Sequence, residues 1–377
     1  MKVWTDEFSY DASLYYLNHA AISPWPNCTA QAVASFAYRS TQLVREYSAW
    51  LVLENRLKQR VKRIFNAPSV DDLALVKNTS EALSFVAFGL DWRPGDNVVI
   101  PAQEFISNQV IWEALTPYGV SIIKVPLSSF TPEADLLAAC TTQTRLLAVS
   151  SVHPVTGLRL DMASLGRTCR QRGILLCVDA IQHIGATPFD VSESECAFAM
   201  AGGHKWLLGP EGLGAFYCRS DMQEQLALHE YGWYMLEDDG NDPSTSSWRP
   251  AHSARRFECG TPNILGATAL EASLALLEKI SLKTVHAELE IRMDYLVKGL
   301  NRLPGIQLHS PIAPSRRAGI VTITLAGWNA THLLEALRKE GIVCSMRGAG
   351  IRLSPHFYTS QQALDRTLIT LERLASR

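Results

Sequence analysis

The sequence predicts an α/β protein: a large domain with a mostly parallel central sheet flanked by helices, then a smaller C-terminal α/β domain. Three observations predict it. From about residue 73, short β-rich runs alternate with amphipathic helical stretches, the pattern of strand–helix–strand units. Runs such as Ile174 to Val178 are apolar without a break, which fits strands covered on both faces. With 377 residues, 47% of them hydrophobic and 19% charged, the chain can bury a sizeable core and fill two domains.

Taken in order, LALVKN reads as a strand and TSEALSFVAFGL as the helix after it; DNVVIP is the next strand, followed by helical NQVIWEALTPYG. VSIIKVPL and RLLAVSSV are strands, DMASLGRTCRQRG a helix, and ILLCVDA, AFAMAG and GLGAFYCR three further strands. Glu237 to Arg256 is polar and rich in turn formers, a long loop of the sort that is usually functional or mobile. ILGATALEASLALLEKI and LKTVHAELEIRMDYLVKGLNRL read as two helices, and short strands and helices return with GIVTITL, THLLEALRKEG, GIRLSP and QQALDRTLITLERLA. The expected division is a large domain over residues 15–260 and a small one over 261–377, with residues 1–14 packing on the latter.

Composition excludes several classes. The formal net charge is −2 and no basic stripe is present, so nucleic acid and anionic membrane are poor partners. No window reaches the unbroken apolar length of a membrane span. The N-terminal MKVWTDEFSYD carries acids where a secretory signal has its apolar run, which predicts a cytoplasmic protein. The eight cysteines are scattered, form no C-x-x-C pair and partly sit in apolar runs; they read as free thiols, with no metal site and no disulfide.

Chemistry concentrates in three places. Lys205 stands between His204 and Trp206 in the glycine-bounded turn GGHKWLLGPEG. Desolvation lowers a lysine pKa, and such an amine can form a Schiff base with an aldehyde. Asp179 ends the apolar run ILLCVD, where a carboxylate needs a partner; a protonated pyridine nitrogen is one, and its charge makes the ring an electron sink. Both residues fall at carboxyl ends of expected strands, where open α/β sheets bind ligands. In KNTSEAL, Thr79 and Ser80 open a helix after a strand, a natural anion site.

With these residues in order, the chain resembles the class V aminotransferase family of fold-type I, pyridoxal-phosphate-dependent enzymes, which includes cysteine desulfurases, kynureninases and isopenicillin N epimerase. The resemblance runs from YLNHAAISP to IRLSPHFYTS, and NTSEAL, VDAIQHIG, GGHKWLLGPEG and RRFECGTPN are its clearest blocks. It implies pyridoxal 5′-phosphate as cofactor, with Lys205 as the Schiff-base lysine, Asp179 on the pyridine nitrogen and Gln182 reaching the ring hydroxyl. Thr79, Ser80 and His204 would hold the phosphate, and Phe105 falls where the family stacks a ring on the cofactor, a histidine in most desulfurases. Thr261 matches a position that reaches the phosphate of the neighbouring subunit, implying a homodimer with shared active sites. Arg352 falls where the family binds the substrate α-carboxylate, a task suited to a guanidinium; Asn18 and Ala20 would line the substrate pocket.

The resemblance implies a small-molecule substrate, an amino acid or amine, and, most simply, transamination; the alternative is a lyase that cleaves a C–S or C–C bond. Two departures bear on that choice. The segment before Arg352 holds one thiol, Cys344, within an apparent strand, which reads as a core residue and not as a mobile sulfur carrier. His153 and Pro154 stand where many relatives carry small or amide residues, and His153 is either an extra acid–base group or a structural histidine.

Overall fold

The computed structural model describes residues 4, 6–9, 11, 13–42, 47–128, 130–237 and 248–376. Residues 238–247 of the polar loop expected over Glu237 to Arg256 lie outside that set.

Seven strands form the central sheet: β1 (Leu73–Val76), β2 (Asn97–Pro101), β3 (Ser121–Val125), β4 (Thr144–Ser150), β5 (Leu175–Asp179), β6 (Phe198–Gly202) and β7 (Gly214–Cys218). Their order is β1-β7-β6-β5-β4-β2-β3. β7 runs antiparallel to both of its neighbours, and the other pairings are parallel. All strands but β7 therefore point the same way. The largely parallel sheet expected from the sequence is present, with one reversed strand.

Alternation along the strands accounts for the two apolar layers. In β4, Leu147 and Val149 pack into one buried cluster, Leu146 and Ala148 into the other. β5 and β6 divide likewise, with Leu176, Val178 and Ala199 on one side and Cys177, Phe198 and Met200 on the other. Successive side chains point to opposite faces, so a strand buried on both must be apolar throughout.

Helices Asn27–Ser40 and Tyr47–Phe65, in a region where the sequence reading assigned no elements, pack against Ile264–Ile280. A second sheet follows: β8 (Ile306–Leu308), β9 (Val321–Leu325), β10 (Ser345–Arg347) and β11 (Gly350–Leu353), antiparallel in the order β10-β11-β9-β8. The N-terminal segment is stitched to this part of the chain. Tyr15–Tyr16 pairs in parallel with Ile342–Val343, Asn18 bridges Ser354, and the rings of Trp4 and Phe8 meet Phe357. Among the described residues no helix is long and apolar enough to cross a membrane.

Candidate active site

Because β1 and β6 run parallel to the central strands, Thr79, Glu104, Ser150, Asp179 and Lys205 all come at or just past carboxyl ends of one sheet. Asp179 is the last residue of β5 and 3% exposed. Burial pushes its carboxyl up to about 6, opposed by the Ile181 N–H donating to Oδ1 at 3.0 Å and by Lys205. Lys205 follows β6. Its Nζ lies 5.8 Å from the centroid of the Phe105 ring. Burial brings the ammonium down to about 8; Asp179 opposes the shift, while Arg352 and Arg347 add to it. A half-desolvated amine beside a buried acid results.

The turn carrying Gln182 is locked to the turn carrying Lys205. Gly185 adopts φ +93°, and a Cβ there would lie 2.6 Å from the Trp206 carbonyl oxygen, so the close approach requires glycine. Gln182 accepts from Trp206 Nε1 at 2.9 Å and donates through Nε2 to the Ala20 carbonyl at 2.9 Å. One amide hydrogen is left for a further acceptor. Ser23 N–H donates to the His204 carbonyl at 2.9 Å, which ties NHAAIS to the lysine turn. His204 is half-buried, and burial together with Lys205 lowers its pKa.

Thr79 is the first residue of the helix Thr79–Gly89, capped by Asn78, whose side chain accepts from Glu81 N–H at 2.9 Å. The Thr79 hydroxyl is buried without a partner, and Ser80 is exposed beside it. Arg352, on β11, is 1% exposed. Its Nη1 donates to the Pro154 carbonyl at 2.7 Å, but Nε and Nη2 have no partner. Burial, with Arg347 nearby, lowers the guanidinium to about 9. Buried donors left unmade are costly, and a planar pair of them suits a carboxylate. The Asn18 side-chain oxygen is likewise buried and partnerless, and Ala20 N–H donates to Ser354 Oγ at 3.0 Å.

These features fit pyridoxal phosphate. A partnerless hydroxyl at a helix N-terminus suits the phosphate, a buried carboxyl with a raised pKa suits a ring N–H⁺, and the lysine amine suits the aldehyde. Thr261 is exposed, accepts from Trp233 Nε1 at 3.4 Å, and lines a cleft with Lys77, Glu81 and Cys259.

Both nitrogens of His153 are engaged, Nε2 with the Gln103 carbonyl at 2.9 Å and Nδ1 with the Thr156 N–H at 3.1 Å. Burial lowers its pKa. The geometry is that of a neutral histidine pinning its turn. Cys344 is 2% exposed, and burial pushes its thiol up to about 12. The sequence reading missed Glu104, Ser150 and Arg347. A carboxylate shortly after the apolar run NVVIP is the signal that could have found Glu104.

The sequence matches the family Aminotransferase class-V over residues 15–364. A probable cysteine desulfurase of Methanothermobacter thermautotrophicus is 28% identical over 96% of this chain and 94% of its own. Among solved structures, the apo form of a cysteine desulfurase from Thermococcus onnurineus superposes with a TM-score of 0.86 at 23% identity, covering 96% of this chain and 94% of that one. The cystine C–S lyase C-DES, solved in complex with its reaction product cysteine persulfide, gives 0.88 at 23% identity over 96% and 98% of the two chains. With the family match running over residues 15–364 and a fold shared with these structures, the chain belongs to the class-V aminotransferase family.

Proposed function

We propose that the protein is a pyridoxal 5′-phosphate-dependent C–S lyase that acts on an amino acid of the cysteine or cystine type and releases sulfur to solution, not to a thiol of its own. The placement of Cys344 carries the reading. It is the one thiol in the segment leading to Arg352, it is buried, and its pKa of about 12 keeps it protonated; the nucleophile is the thiolate. The relatives supply the bond class, since their names are those of desulfurases and of a C–S lyase. They favour the lyase alternative over the transamination preferred from sequence.

Bound pyridoxal phosphate supplies the electron sink that lets bonds at Cα break. The chain's own residues do the rest. Arg352 receives the α-carboxylate on its two partnerless nitrogens, Nε and Nη2, and Asn18 and Ala20 line the pocket. Asp179 holds a proton on the ring nitrogen. Thr79, Ser80 and His204 hold the phosphate, and Gln182 gives its remaining N–H to the ring oxygen. Phe105 offers a stacking face without an acid–base group, so Lys205, brought to about 8, removes the Cα proton. For cystine the sum is cystine plus water giving pyruvate, ammonia and cysteine persulfide. Thr261, exposed on its own chain, is read as serving the phosphate of a second subunit in a cytoplasmic homodimer.

The holoenzyme incubated with cysteine or cystine is expected to yield pyruvate and ammonia with sulfide or persulfide, and Cys344→Ala is expected to retain that output. Alanine as the product, lost in Cys344→Ala, would make the protein a desulfurase that uses its own thiol. Pyridoxamine phosphate building up with an amino donor alone would restore transamination.

A further inference from the structure

Glu104 lies just past β2, directly before Phe105, and is 6% exposed. Its carboxylate is surrounded by donors. Oε1 accepts from Ser150 N–H at 2.5 Å; Oε2 accepts from Ser150 Oγ at 2.6 Å and from Phe105 N–H at 3.1 Å. Ser150 closes β4 and is the register partner of Asp179. The neighbouring peptide groups are also fixed, with Gln109 Nε2 donating to the Glu104 carbonyl and His153 Nε2 to that of Gln103.

A buried carboxylate is an expensive pin. An amide of the same shape cannot replace it, because its NH₂ would face either Ser150 N–H or Phe105 N–H, both donors. Burial and the charge of Asp179 oppose ionisation, and the hydrogen bonds from Ser150 and Phe105 support it. Charged or titratable groups elsewhere in the site are Lys205, His204, His153, Arg347 and Arg352.

We propose that Glu104 is a positioning residue for the cofactor: it holds Phe105 over Lys205 through the Phe105 N–H and, when ionised, sets a second negative charge near Asp179. This rests on the pyridoxal phosphate reading. In holoenzyme reconstituted with pyridoxal phosphate, Glu104→Gln is expected to keep the visible colour but with weakened visible circular dichroism. The pH midpoint of its visible absorbance change should fall by about half a unit or more, because loss of a nearby negative charge disfavours the protonated form. Phe105→Ala, which leaves the carboxylate in place, should weaken the dichroism with an unchanged midpoint. Wild-type dichroism and midpoint in Glu104→Gln would overturn the proposal. Should that variant not fold, Ser150→Ala decides: removing one donor from the carboxylate moves the midpoint the same way by less, and an unmoved midpoint overturns the proposal. Wild-type protein left colourless by pyridoxal phosphate would remove the cofactor reading and this proposal with it, whereas a coloured wild type with an indifferent Glu104→Gln removes this proposal alone.

Discussion

Arg352 shows how a single residue can be a cost to the apoprotein and an asset to the working enzyme. It is 1% exposed with two guanidinium nitrogens that nothing satisfies, an arrangement that costs stability and persists at sites where function requires it. Arg352→Gln should therefore leave the melting temperature of the apoprotein unchanged or raise it. The same change should raise KM for an amino-acid substrate by roughly 10- to 100-fold, the worth of a charge-assisted pair at about 1.5–3 kcal/mol. A residue that merely braced β11 would lower the melting temperature and leave KM alone. Differential scanning calorimetry and steady-state kinetics on the one variant separate the two roles.

At the scale of elements, the helix Thr79–Gly89 makes the same point from its N-terminus. Asn78 already caps it, so the Thr79 hydroxyl, buried without a partner, is spare to helix stability. Thr79→Ala should leave the apoprotein's melting temperature unchanged and weaken pyridoxal phosphate binding about tenfold, the value of one hydrogen bond to a charged group; titration followed by absorbance measures it. This site was legible in sequence because KNTSEAL follows an apolar strand, and Asp179 and Lys205 because a charge ending an apolar run needs a reason. The strands of the central sheet were legible for the same cause, since burial on both faces leaves them apolar throughout. The reversal of β7 was not legible, because direction depends on the connection and partner and leaves no mark on the composition of GAFYC. The helices Asn27–Ser40 and Tyr47–Phe65 were missed, although Leu57, Val61 and Ile64 recur in the second at helical spacing and are buried. Glu104 was missed because its meaning lies in Ser150, which only strand pairing brings beside it.

For the whole molecule, buried ionisable groups on opposite sides of neutrality set the pH profile. His19, His183 and His356 are buried neutral, held by burial at about 4, about 3 and well below the ordinary value. Below about pH 6.5 the unfolded chain takes up protons on these residues that the folded chain refuses, so their contribution to stability falls as pH falls. Asp179, Glu104 and Glu258 work the other way: burial raises them to about 6, about 7 and about 7. The folded apoprotein retains protons that the unfolded chain releases above about pH 4, so their contribution rises as pH falls toward 5. His153, His204 and His286 are lowered by burial as well, so lowered histidines outnumber the raised carboxyls, and a pKa that differs by one between folded and unfolded chain is worth about 1.4 kcal/mol. The apoprotein should therefore lose some melting temperature between pH 7 and pH 5. Cofactor binding steepens the loss. Asp179 must be ionised to hold a protonated ring nitrogen, so its titration near pH 6 is removed from the folded state and the histidine loss goes unopposed by it. The holoenzyme should lose more melting temperature than the apoprotein over the same interval, and pyridoxal phosphate affinity should decline below about pH 6 by at most about tenfold for each pH unit. Thermal scans of both forms at half-unit steps test this, and Asp179→Asn should abolish the difference in pH slope between them; a holoenzyme with the same slope as the apoprotein would show that Asp179 is not the group that pairs with the ring.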